Sequence, residues 1–434
     1  MSPELLGVAG FGVLFALMAL GTPVAIALLI VGFGGTILLS GFQAAAYTLS
    51  GQAFATITIY ELSIIPLFIL MGNLASAAGL SRDLFDAAYR LIGHLRGGLA
   101  AATILGCAGF SALSGSSIAS AVTMGKVAYP EMRRYGYGAR LATGSIAAGG
   151  TLGILIPPST GFVIYAVLTE ESIGRLFMAG VLPGLMLTSL FLVAIAAITF
   201  FTPEEGPRGP TFNLREKLAS ILRSTGIVTI IVITIGGIYT GFFTPVEAAG
   251  VGACFALLML IIRGKCTPQT LWVASADTLR TTGMAFFILI GANVFAPFVA
   301  LSHLPEAIAA GMAGLALGAY GTLAVILLGY VVLGMFIEGL SLLVITLPIV
   351  FPLIVSLGFD PIWLGVVMVI VLEMGLISPP IGVNVFVVKS IVPDVKMETI
   401  FAGIMPFWLA MAIALVFLVL VPDIALLLPN AMFD

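Results

Sequence analysis

Two stretches combine hydroxyls, glycines, prolines and a carboxylate inside an otherwise apolar chain. The first holds Ser114-Gly115-Ser116-Ser117, then Gly149-Gly150-Thr151-Leu152-Gly153, then Pro157-Pro158. The second holds Glu338-Gly339, then Gly375, Ser378-Pro379-Pro380 and Asn384. In lipid, backbone that leaves helical geometry must be buried in protein or line a wet cavity. A broken helix frees carbonyl oxygens, which suit a hard cation such as Na⁺. It also frees N–H groups at a positive dipole end, which suit a carboxylate. Gly149, Gly150, Gly153 and Gly375 admit close backbone approach, while the two Pro-Pro pairs remove donors and break the helix. We therefore read these positions as one ion and substrate site, with Na⁺ at Ser116, Ser117, Gly339, Gly375 and Ser378.

Each feature has a plainer account. Serine and glycine also mediate close helix packing in membranes, and kinked spans are common. Glu338 could bind a cation, carry a proton or cap local backbone donors, because an ionisable group at that depth is costly without a role. Glu373, just before the second break, is either ion-linked or structural. Asn384 is a polar contact near the site or a packing residue. Two histidines far apart (His94, His303) and three cysteines (Cys107, Cys254, Cys266) match no metal or disulfide spacing. No cofactor is expected beyond Na⁺ as coupling ion.

The elements that must position these residues are membrane helices. The chain has 434 residues, 60% hydrophobic and 9% charged. Soluble domains carry roughly 25% charged residues, and apolar runs of about 20 residues recur along the length. The net charge of −3 gives no reason to expect a nucleic-acid partner. Spans are predicted near residues 5–20, 24–39 and 56–78. An interfacial amphipathic helix over 81–96 follows, with Ser81 as its N-cap. Two arms near 99–113 and 118–129 measure only about 18–23 Å at 1.5 Å per residue. They are read as a re-entrant hairpin (about 99–130), with two thin or tilted spans as the alternative. A broken span (about 139–168) and a span over 172–201 complete the half.

The second half repeats the first. Thr22-Pro23-Val24 matches Thr244-Pro245-Val246, Tyr129-Pro130 matches Phe351-Pro352, and Gly153 with Pro157-Pro158 matches Gly375 with Pro379-Pro380, all at one constant separation along the chain. The repeats are placed at 1–205 and 221–434, with a cytoplasmic linker over 206–220. The second half carries spans near 221–242, 246–262 and 278–300, an arm over 303–317, a hairpin at about 322–355 with its tip at 337–341, a broken span at about 361–388 and a last span over 400–421. Five crossings per half make the repeats inverted. Basic residues cluster on one predicted side, with Arg175 nearly alone on the other. The positive-inside rule then puts both termini in the periplasm of a multi-pass inner-membrane protein. The fold class is all-α and polytopic, two inverted repeats that each hold a re-entrant helical hairpin and a broken transmembrane helix.

These motifs resemble the large membrane subunit of tripartite ATP-independent periplasmic (TRAP) transporters. Gly115-Ser116-Ser117, Pro130-Glu131-Met132, Gly149 to Ser159, Glu338, Gly358 to Pro361 and Gly375 to Asn384 carry the resemblance, which spans nearly the whole chain. Ser378 stands where threonine is more usual; both offer a hydroxyl. The resemblance implies a Na⁺-coupled elevator importer of small organic acids such as C4-dicarboxylates or sugar acids. It also implies two partners: a small four-helix membrane subunit and a periplasmic substrate-binding protein. A stand-alone Na⁺-coupled divalent-anion carrier of the same architecture is the alternative. An intramembrane enzyme would need paired catalytic aspartates, a Ser–His pair or a metal motif in the membrane, and no such set is present. A channel would not need an alternating-access repeat.

Overall fold

The structure, a computed structural model, describes residues 2–314 and 317–433. Its first half runs α1 (Pro3–Ala19), α2 (Val24–Ser40), α3 (Phe42–Thr58), α4 (Ile64–Ala78), α5 (Leu80–Ile92), α6 (Gly98–Ser114), α7 (Ser117–Arg134), α8 (Ala139–Leu155), α9 (Thr160–Thr169) and α10 (Ile173–Phe201). The second runs α11 (Leu214–Tyr239), α12 (Pro245–Ile262), α13 (Pro268–Leu301), α14 (Leu304–Gly314), α15 (Gly318–Gly334), α16 (Gly339–Ser356), α17 (Pro361–Leu376), α18 (Val383–Ile391), α19 (Met397–Leu420) and α20 (Asp423–Phe433). Among the described residues there is no strand, and eight helical stretches are long and apolar enough to cross a membrane.

Local chemistry explains most boundaries. Proline opens α12, α13 and α17 at a position whose N–H has no helical partner. Thr244 and Glu247 form a reciprocal capping box on α12, as Asn213 and Glu216 do on α11. Position 25, the counterpart of Glu247, is alanine, so α2 has no such box and Pro23 is its cap residue.

Several expected boundaries move. The span expected near 56–78 is present as one apolar stretch, the short turn at Tyr60–Ser63 running into α4, but a further helix, α3, precedes it over residues with no expected element. The counterpart of α3 and α4 in the second half is the single 34-residue α13. The polar residues of α3 hid its helical character. Helix α5 starts after Gly79, whose left-handed φ of 85° makes it the cap residue; Ser81 is buried inside the helix. The linker is shorter than 206–220, because the capping box starts α11 at Leu214. The hairpin arms α6 and α7 have 17 and 18 residues, hence lengths of about 26 and 27 Å. The extra turn arises because α7 runs on through Pro130 to Arg134. The second tip is the Met335–Glu338 segment, and a short α20 follows the last span. Positions 315 and 316 of the arm expected over 303–317 lie outside the described residues.

Packing sorts the helices into two groups. Helix α2 lies along α13 and α4 along α12, with α1, α3 and α11 beside them. The hairpins α6–α7 and α15–α16 and the interrupted pairs α8–α9 and α17–α18 form the other group, with α10 and α19. Helix α5 bridges them, touching α11 on one side and α6 and α7 on the other. Its place is fixed by Arg263, at the end of α12, which meets the Asp83 carboxylate at 2.5 Å. The Arg263 guanidinium and Lys265 Nζ also donate to the Ala78 carbonyl at the end of α4, at 3.3 and 3.0 Å. Arg263→Ala leaves a largely buried carboxylate unpaired and a helix end uncapped. It should cost about 1–3 kcal/mol, with Arg263→Lys losing less; thermal unfolding in detergent measures both.

Candidate functional site

The first tip is built by glycine conformation and serine capping. Helix α6 ends at Ser114, and Gly115 turns the chain with φ of 58°. There an added Cβ would also meet the Pro158 carbonyl oxygen at 2.9 Å, so glycine is required twice over. Ser116 is extended and caps α7, its Oγ accepting from the Ala119 N–H at 3.3 Å. The Ser114 and Ser120 hydroxyls are 2.9 Å apart. The tip is tied to the first break, where the Thr160 hydroxyl donates to the Gly115 carbonyl at 2.8 Å.

Helix α8 offers the tip a smooth surface. A side chain at Gly153 would lie 2.4 Å from the Ser116 carbonyl oxygen. Gly149 faces Cys107, and Gly150 faces Ala121 and the Ser117 carbonyl. Thr151 is fully buried and its hydroxyl donates back to Ala148. Pro157 and Pro158 lie buried beneath the tip.

The second half repeats this plan with different chemistry. Gly375 touches the backbone of Gly334, where an added Cβ would sit 2.6 Å from the Gly334 Cα. Glu338 caps α16: its Oε2 accepts from the Ser341 N–H at 2.9 Å and from the Ser341 hydroxyl at 3.0 Å. Gly339 is the first residue of that helix. The buried Ser378 hydroxyl donates to Met374 at 2.7 Å and accepts from Trp408 Nε1 at 2.9 Å, leaving one lone pair. Pro379 and Pro380 are exposed, unlike the first pair. Asn384 is fully buried, and neither end of its amide has a hydrogen-bond partner among the described residues.

Both tips open onto one cavity of about 540 Å³. Ser114, Ser116, Ser117 and Thr160 line it from the first half, Glu338 and Ser341 from the second, and Asn73, Ser76 and Thr281 from α4 and α13. Helices α7, α9 and α16 begin at this cavity, so three positive helix ends converge on it. No lysine, arginine or histidine is among its described lining residues. An anion held here is held by N–H groups and hydroxyls. Of the expected site residues, Ser114, Ser116, Ser117 and Glu338 line the cavity. Gly115, Gly149, Gly150, Thr151, Gly153, Pro157, Pro158, Gly339, Gly375, Ser378, Pro379, Pro380 and Asn384 stand behind or beside it. Thr160, Ser341, Asn73 and Thr281 are additions. Asn73, a lone amide in an apolar helix, was the visible signal among them.

A second cavity of about 730 Å³ lies between the α9–α10 and α11–α12 turns, lined in part by Glu61, Glu170 and Glu171. Burial, then the charge of Asp360, pushes the Glu171 carboxyl above its ordinary range.

Residues 11–424 match the sequence profile of the tripartite ATP-independent periplasmic transporter, DctM component. The chain belongs to the DctM family. It is 37% identical to the C4-dicarboxylate TRAP transporter large permease protein DctM of Pseudomonas aeruginosa, over 88% of this chain and 89% of that one. It is 33% identical to the sialic acid TRAP transporter large permease protein SiaM of Vibrio cholerae, over 96% of each. The crystal structure of the YdaH transporter of Alcanivorax borkumensis, a protein of unusual topology, shares the fold. Its TM-score is 0.59 at 16% identity, covering 99% of this chain and 98% of that one. DctM-family chains are transport permeases, so this chain is a transporter component and not an enzyme.

Proposed function

We propose that this chain is the membrane carrier of a Na⁺-coupled importer of small organic acids. The observation that carries the reading is the single cavity on which both hairpin tips and three helix ends converge without a basic side chain. Such a site holds a carboxylate by backbone and hydroxyl donors, and does so best when a cation sits beside it. Hydroxyls of Ser116, Ser117 and Ser378 and backbone oxygens at Gly339 and Gly375 are hard donors of the kind Na⁺ takes. A relative named for C4-dicarboxylates and one named for sialic acid align with 88% and 96% of this chain. Acids of very different size thus fit one membrane architecture, which leaves much of the selection to a periplasmic binding protein. The family's tripartite name supports that partner and a small membrane subunit beside it.

The hairpins and broken helices carry acid and Na⁺ together past the α1–α4 and α11–α13 scaffold, as an elevator. Helices α5 and α14 are the arms between the two bodies. Both termini face the periplasm of the inner membrane, so the hairpins enter from opposite sides. The test is uptake into proteoliposomes holding this chain and the small subunit, with the binding protein and a radiolabelled acid outside. Uptake should require an inward Na⁺ gradient and the binding protein. Equal uptake in choline chloride would remove the Na⁺ coupling, and uptake by the chain alone would remove the partners.

A further inference from the structure

Helix α17 is buried on every side: each residue from Ile362 to Leu376 is covered. One of them, Glu373, is ionisable and 2% exposed. Its Oε2 has no hydrogen-bond partner among the described residues. The Ser117 side chain, at the first hairpin tip, reaches its carboxyl, and Glu338 is the charged neighbour whose field acts on it. Glu338 is already held by the start of α16. A charge on Glu373 would therefore be unmatched, and an unmatched carboxylate at that depth is costly.

The first repeat carries no carboxyl at the matching position. The equivalent position in the first half is Thr151, whose hydroxyl is satisfied within its own helix. One half thus carries a self-contained hydroxyl where the other carries an acid with a free oxygen, beside the opposite half's tip. Beside the carboxyl lies the Ser117 side chain, so a hydroxyl oxygen and a carboxylate oxygen, both hard donors, come together at the first tip.

We propose that Glu373 is the charge-bearing ligand of the Na⁺ site at the first hairpin tip, reaching from the second repeat to Ser117. This rests on the Na⁺-coupled reading above and adds to it the residue that neutralises the ion. One bound cation then ties tip one to broken helix two, and the loaded site is neutral as it passes the apolar core.

The test is thermal unfolding of the purified full chain against NaCl, with choline chloride keeping ionic strength constant. The wild type should be stabilised by Na⁺. Glu373→Gln keeps a partner for Ser117 and removes the charge, and should raise the Na⁺ concentration for half-maximal stabilisation at least about tenfold. An unchanged Na⁺ midpoint in Glu373→Gln overturns the assignment while leaving Na⁺ coupling intact. A wild type that Na⁺ does not stabilise overturns both. If Glu373→Gln does not fold, Glu373→Asp replaces it: a shifted midpoint supports the assignment and an unchanged one overturns it. Loss of the pH dependence of uptake with the Na⁺ response intact marks a proton site and also overturns it.

Discussion

Replacing Gly153 by alanine should reduce uptake by at least about tenfold, since a displacement of about 1 Å at a positioned site is costly. The new Cβ would stand 2.4 Å from the Ser116 carbonyl oxygen, 2.6 Å from its carbon and 2.8 Å from the Ser117 Cα. All three are backbone atoms, so no flexible side-chain end can yield. The tip must lift from α8, and the Ser116 and Ser117 hydroxyls move with it. Overpacking of this kind costs about 1–3 kcal/mol, so the protein should fold with a lower unfolding midpoint. Gly236→Ala is the control, because nothing lies within 4 Å of a Cβ there. It should transport normally and unfold no earlier. Wild-type uptake by Gly153→Ala would mean that the tip does not rest on α8 during transport.

Removing both tip hydroxyls, by Ser116→Ala with Ser117→Ala, should raise the Na⁺ concentration for half-maximal uptake about tenfold. Two lost ligands at about 0.5–1.5 kcal/mol each give that order. The loss of the Ser116 cap costs about 1 kcal/mol, which leaves the fold in place. The readout is the Na⁺ curve at saturating acid, where a substrate-only role would leave the midpoint unmoved. Na⁺ activation identical to wild type would take these serines out of the ion site.

How far the sequence reached can be judged residue by residue. Glycines, prolines and the tip serines stood out because lipid tolerates irregular backbone in so few places. The return of Gly153 and Pro157-Pro158 as Gly375 and Pro379-Pro380, in register with the other matches, marked the two helix breaks that stand behind the candidate site. Hydropathy gave no signal where composition was mixed: α3, with Gln43, Ser50 and Gln52 among its residues, holds no long apolar run that would mark a helix. The start of α11 was hidden by charges that solvate its first turns. At the site, the sequence could not tell the lining from its support. Whether Ser378 faces a cavity or donates to Met374 depends on helix rotation, which composition does not fix. The scaffold residues Asn73 and Thr281 join the site only through packing between distant segments.

The central claim is that the acid binds between the two hairpin tips. The most direct measurement is a cryo-electron microscopy map of the assembled transporter with a bound acid and NaCl. The account predicts density for the acid against Ser117, Thr160 and Ser341, at the starts of α7, α9 and α16. Density confined to the cavity beside Arg140, between α10 and α19, with the space between the tips unoccupied, would contradict it.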